Sequence, residues 1–262
     1  MTTRIALGAI GFLGALASGA DISYVASIRP NNSAEARTFT EYFPGGRFSA
    51  TAVTVRGLLR IAYRIQDYQL VGAPAWFATQ RYDIAAKIED DPVPSQQIFL
   101  RALLADRFKL VVHNEARELP TFALVLAKSD GRLGPQLIKS EFDCAAYLAA
   151  PHALPDPGRT PPCGARSYVG TLSAKSIAIT QLATTLTAFL NRLTIDKTGL
   201  TGRFDVELTW SPEQLSYDAA RDDVRGPSIF TALQEQLGLR LVPGKGAVDV
   251  LIVDRAEIPS EN

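Results

Sequence analysis

The chain repeats itself, and that constrains its fold more than any other feature. Phe48-Ser-Ala-Thr-Ala-Val-Thr-Val-Arg-Gly-Leu-Leu aligns without a gap on Leu172-Ser-Ala-Lys-Ser-Ile-Ala-Ile-Thr-Gln-Leu-Ala. Downstream, Arg81-Tyr-Asp-Ile answers Arg203-Phe-Asp-Val. Further on, Ile98-Phe99 with Phe108-Lys-Leu-Val answers Ile229-Phe230 with Leu239-Arg-Leu-Val. Three blocks in one order imply two copies of one folded module. The expected architecture is α+β: two tandem copies of a small βαββαββ-type module.

Periodicity fills in the module. Residues 22–28 and 47–52 read as strands, and Thr54 is placed to cap a helix with Val55, Leu58, Leu59, Ala62 and Ile65 on one face. Tyr82 to Ile88 alternates as a strand does, and Ser95 is placed to cap a helix to about Arg107. A strand from Phe108 to Arg117 is expected to break at Leu119-Pro120 before another from Thr121 to Lys128. In the second copy, Ile179, Leu182, Ala183, Leu186 and Leu190 mark the first helix. Ser228 caps the second, Gly238 stops it, and Pro243-Gly-Lys-Gly246 reads as a tight turn between two closing strands. The expected organisation is a first module at 21–128, a linker at 129–169, a second module at 170–258 and a polar tail at 259–262.

Residues 1–20 read as an export signal. Arg4 supplies the positive end, Ile5 to Ala17 is apolar, and cleavage is expected after Ala17 or Ala20. The apolar run is shorter than the roughly 20 residues that span a bilayer, so no transmembrane segment is expected after cleavage; a retained anchor is the alternative. The expected location is periplasmic or secreted. Cys144 and Cys163 suit an oxidising compartment and flank a Pro-rich stretch that a disulfide would close; two unpaired buried thiols are the alternative. Lys plus Arg and Asp plus Glu are balanced at 27 each, so no basic excess points to nucleic acid.

The chemical inventory points away from catalysis. His113 and His152 are the only histidines, too few for an ordinary zinc site, and His113 reads as a surface or satisfied side chain. No Gly-x-Ser-x-Gly elbow, His-Glu-x-x-His pair or Gly-x-Gly-x-x-Gly loop occurs. No catalytic residue, metal or cofactor is therefore assigned. Arg81 with Asp83, and Arg203 with Asp205, hold matched positions in the two copies. Each pair reads as half of a duplicated ligand clamp or as an ion pair fixing a strand edge, with the structural reading preferred. Asp196-Lys197-Thr198-Gly199 can build a compact turn whose Lys197 and amides could also hold an anion; the turn is preferred. Trp76 is either an exposed partner anchor or half-buried packing.

Leu104-Ala-Asp-Arg-Phe-Lys-Leu, Asp196-Lys-Thr-Gly-Leu-Thr-Gly-Arg-Phe-Asp205, and Leu233-Gln-Glu-Gln-Leu-Gly-Leu with terminal Pro259-Ser-Glu-Asn262 together resemble an exported bacterial family, domain of unknown function 3738. That family supplies no accepted activity or catalytic residue. Some of its relatives look fused behind sensor-type membrane peptidases, which implies sensing or binding in the envelope. The module pattern is similar to the short N-terminal domain of secretins and TonB-dependent transporters, which implies periplasmic protein partners. The resulting expectation is an exported envelope protein that binds a protein or small ligand without catalysis. The alternatives are a carboxylate-dependent secreted hydrolase and a structural envelope component or sensor accessory domain.

Overall fold

A computed structural model describes residues 22–33, 37–149, 160–212 and 226–260. The expected export signal lies outside the described residues, as do residues 150–159 of the Pro-rich stretch, residues 213–225, and the last two residues of the tail. The chain divides into two compact units. One is drawn from the chain up to His113 together with Leu251 onward, the other from Asn114–Val250.

In the first unit, β1 (Tyr24–Pro30), β2 (Phe39–Phe43), β3 (Arg47–Thr54), α1 (Val55–Tyr63), β4 (Leu70–Val71), α2 (Trp76–Thr79), β5 (Arg81–Ile88) and α3 (Gln96–Arg107) follow in order. They precede β6 (Val111–Leu126), which runs on into the second unit. The antiparallel sheet has the order β1-β5-β3-β2. Along β5, Tyr82, Ile84 and Ile88 are buried while Arg81, Ala85 and Lys87 are exposed, the period-two pattern of a sheet covered on one face. Thr54 Oγ1 accepts a hydrogen bond from the Gly57 amide at 3.1 Å and starts α1. The helix buries Val55, Leu58, Leu59 and Ala62 and ends at Arg64 in the left-handed region. That end precedes Ile65, which lies outside the helix. Ser95 has the extended backbone of an N-cap, but its hydroxyl makes no capping bond. Helix α3 inserts Phe99 among the rings of Tyr24, Phe48 and Tyr42, at 5.5, 5.5 and 6.4 Å between centroids. The inner face of the sheet and the two long helices therefore share one core.

The second unit contains β7 (Leu137–Ser140), α4 (Cys144–Ala149), β8 (Gly164–Tyr168), β9 (Thr171–Ile177), α5 (Ile179–Leu190), β10 (Thr194–Asp196), β11 (Arg203–Thr209), α6 (Ile229–Ala232) and β12 (Leu239–Arg255). Its sheet order is β7-β11-β9-β8, the order of the first sheet when strands are taken in sequence. Residues 129–169, read from sequence as a linker, contribute β7 and β8 to this sheet. Cys144 and Cys163 form a disulfide with a Cα–Cα distance of 5.6 Å, tying α4 to the start of β8. Helix α5 buries Ile179, Leu182, Ala183 and Leu186. Ser228 Oγ accepts from the Thr231 amide at 3.2 Å, and α6 continues as a π turn to Gly238, at φ +69°.

Two expected interruptions do not occur. Strand β6 passes through Leu119-Pro120, and β12 passes through Pro243-Gly-Lys-Gly246 without turning. Proline's fixed φ is compatible with extended chain wherever its missing N–H is not needed, and both prolines are exposed. Gly246 passes close to Thr121: a Cβ there would lie 3.5 Å from Thr121 Cγ2. The long strands also change partners. In the first unit β4 pairs in parallel with β12, through Leu70 and Leu251. In the second unit β10 pairs in parallel with β6, through Thr194 and Phe122. Each short strand thus pairs with a long strand from the other half of the sequence. No helix among the described residues is long and apolar enough to cross a membrane.

Candidate functional site

The matched aspartates sit beside matched irregularities. In β3 the ladder with β5 shifts register between Ala50 and Val53, and Ala52 takes φ +50°. In β9 the pairing with β11 shifts at the same place, and Ser176 takes φ +50°. Ala52 and Ser176 occupy equivalent positions in the repeated block. A bulge removes an amide from the ladder, and a buried amide without an acceptor is costly. Asp83 Oδ1 accepts from the Ala52 amide at 2.9 Å and from Asn31 Nδ2 at 2.8 Å. Asp205 Oδ1 accepts from the Ser176 amide at 2.9 Å, and Lys175 Nζ approaches its other oxygen at 3.2 Å. Burial pushes the Asp205 carboxyl upward, but the Ser176 amide, Lys175 and Ser140 outweigh it and hold it below the usual carboxylate value.

The arginines do not serve as partners to these carboxylates. Arg203 Nη1 donates to the Ser176 carbonyl at 2.6 Å, gripping the bulge from its other side. Arg81 is exposed at the start of β5. Asp83 in the first unit, and Asp205 with Arg203 in the second, hold their own bulges rather than line an open cleft.

Asp196, Lys197 and Thr198 form a local turn in the second unit. Asp196 Oδ1 accepts from the Thr198 amide at 2.9 Å and its hydroxyl at 2.8 Å, and Thr198 Oγ1 accepts from the Leu200 amide at 3.1 Å. Gly199 at φ +72° completes the turn. Thr198 is buried, and the exposed Lys197 uses its amide to pair with the Leu124 carbonyl at 2.9 Å. Trp76, in the first unit, is half-buried, with its ring 4.6 Å from Phe77 and stacked at 6.5 Å on Phe108. His113 pairs with Asp254 at 2.8 Å on an exposed strand.

A concave surface among the described residues lies elsewhere, on the outer face of the first sheet. A shallow groove of about 500 Å³ crosses its strands. One row of outward side chains runs Val25, Lys87, Arg47, Phe43, each opposite the next on the neighbouring strand. The adjacent row on that face runs Ser27, Ala85, Ser49, Glu41. Four strands spaced about 4.8 Å apart make the row roughly 14 Å long. Ser27, Ala85 and Ser49 keep the floor low, and no carboxylate lines the groove. The equivalent face of the second unit is built differently. Thr171 and Thr209 stand where Arg47 and Lys87 do, and Glu207 stands where Ala85 does. There Ser173 Oγ donates to Glu207 at 2.8 Å, and Lys175 lies 3.9 Å from it.

Sequence reasoning missed both the bulges and the groove. The bulged residues carry no glycine to mark their positive φ. Outward Arg, Lys and Ser on alternating strand positions look like any solvated face. The available signal was contrast within the repeat: Arg47 and Lys87 against Thr171 and Thr209.

The family model described as Protein of unknown function (DUF3738) matches residues 56–256, and the chain belongs to that family. No curated protein and no solved structure matches the chain.

Proposed function

We propose that this member of the DUF3738 family is an exported binding protein of the cell envelope, built by duplication of one α+β module and without catalytic groups of its own. The observation that carries the binding reading is the outer face of the first sheet, which no described residue covers and which holds a groove of about 500 Å³. That volume falls in the roughly 300–1,000 Å³ range of small-molecule sites. The duplication reading draws support from the shared strand order of the two sheets and from the matched bulges at Ala52 and Ser176. Export draws support from the apolar segment behind Arg4 and from the Cys144–Cys163 disulfide, which persists in oxidising compartments. A two-carboxylate hydrolysis would need paired acids in a cleft, and the groove is lined by none.

The test is fractionation and cross-linking in a producing bacterium. A photo-reactive side chain at Ser49 samples the first outer face; one at Ser173 samples its counterpart. The expected outcome is a processed chain beginning after Ala17 or Ala20 outside the cytoplasm, with an adduct at Ser49 and none at Ser173. An unprocessed cytoplasmic chain would overturn export. Equal or absent labelling at the two positions would overturn the binding face.

A further inference from the structure

Arg47 and Lys87 stand opposite each other on neighbouring antiparallel strands, an arrangement in which like charges repel. Neither forms an ion pair among the described residues. The Arg47 guanidinium lies 5.4 Å over the Phe43 ring, and Lys87 donates to the Gly45 carbonyl in the β2–β3 turn. By register two acids flank them on that face: Glu89, two residues along the strand from Lys87 and bonded by the Ser23 hydroxyl, and Glu41, opposite Ser49; neither forms an ion pair with Arg47 or Lys87 among the described residues. The uncharged Thr171 and Thr209 at the equivalent places show that the module folds without this charge pair. The pair therefore adds a local field that the fold does not require, beside a groove lined mostly by apolar groups.

We propose that this groove binds a small amphipathic organic anion, a reading that rests on the binding function above and names its ligand class. The acid group sits between Arg47 and Lys87 and relieves their repulsion. The apolar body lies across Ala85, with Val25 and Phe43 at the two ends of the row. An inorganic anion would leave the apolar surface unused, and a neutral ligand would leave the two cations unneutralised. Because the groove is shallow, most of the discrimination comes from the charge pair.

Isothermal titration of the full chain with octanoate, octanol and octylamine tests this. Octanoate is expected to bind at one site per chain, with octanol and octylamine weaker by about tenfold or more, the scale of a charge-assisted hydrogen bond. R47Q and K87Q each lower octanoate affinity by a similar factor, and added salt weakens wild-type binding through screening. Ala85→Trp, at an exposed position, fills the floor and abolishes binding. Matching thermal melts for all three variants separate loss of site from loss of fold. The assignment is overturned if octanol binds as well as octanoate, if R47Q and K87Q bind normally, or if a tetraglutamate peptide saturates the site and octanoate does not. Absence of saturable heat with octanoate also overturns it, while the Ser49 cross-linking result still decides whether this face binds at all.

Discussion

Asp83→Ala tests the structural role of the repeated aspartates most directly. The substitution removes the acceptor held at 2.9 Å by the amide of Ala52, a residue with no solvent exposure. Water cannot readily replace that acceptor, so the amide is left unsatisfied at a cost of about 1–3 kcal/mol. For a chain of this size each kcal/mol lowers the melting temperature by about 2–4 °C, so a loss near 2 kcal/mol corresponds to about 4–8 °C. Asp83→Asn keeps an oxygen where Oδ1 stands and should lose less than half as much. Glu118→Ala, at a carboxylate 71% exposed with only a 3.9 Å contact to Lys245, serves as the control and should stay within about 0.5 kcal/mol. Thermal and urea melts followed by far-UV circular dichroism, on samples shown to refold, provide the measurement. An alanine variant indistinguishable from wild type would refute the argument, and so would an asparagine variant as damaged as the alanine one.

Asp205→Ala should show the same loss with a pH signature. Its folded carboxyl lies below the ordinary carboxylate value of 3.8, so its contribution is full above that value and disappears as pH falls through the folded value. The gap in stability between wild type and Asp205→Ala should shrink from about pH 6 to about pH 2; a gap independent of pH refutes it. Gly238→Ala should cost more than about 3 kcal/mol, because a Cβ at φ +69° would lie 2.6 Å from the Gly134 amide nitrogen and 2.9 Å from the Arg132 carbonyl. Gly131→Ala, at φ +73° with nothing within 4 Å, should cost only about 1–2 kcal/mol in the same urea series. Replacing both cysteines by serine opens a link of sequence separation 19 and should cost about 3 kcal/mol, measured against wild type under non-reducing conditions. Two free thiols in the unreduced wild type would contradict the bridge itself.

Parts of this molecule were legible because their cause is local. Thr54 caps α1, and Val55, Leu58, Leu59 and Ala62 bury one face, since capping chemistry and helical spacing are written in adjacent residues. The Asp196–Gly199 turn was equally readable, because its hydrogen bonds close within four residues. Proline misled the reading for the opposite reason. Pro120 and Pro243 break a strand only if their positions need an N–H, and a neighbour in space decides that need. The same holds for Asp83 and Asp205. Their repetition was visible, but their partners are bulge amides on adjacent strands, distant in sequence.

The amino-acid sequence by itself determined that the chain is α+β with three blocks recurring in one order, where its principal helices begin, and which two cysteines can join. Those properties follow from periodicity, capping and inventory, which need no knowledge of neighbours. Tertiary structure alone decided that β4 pairs with β12 and β10 with β6, so that each half completes its pairing with a strand from the other. It alone aimed Asp83 and Asp205 at bulged amides and set Arg47 against Lys87 across the open face. Register and strand partner arise from contacts between residues far apart in the chain. A pattern of side chains can say which face a residue takes, but only the assembled sheet says what lies beside it.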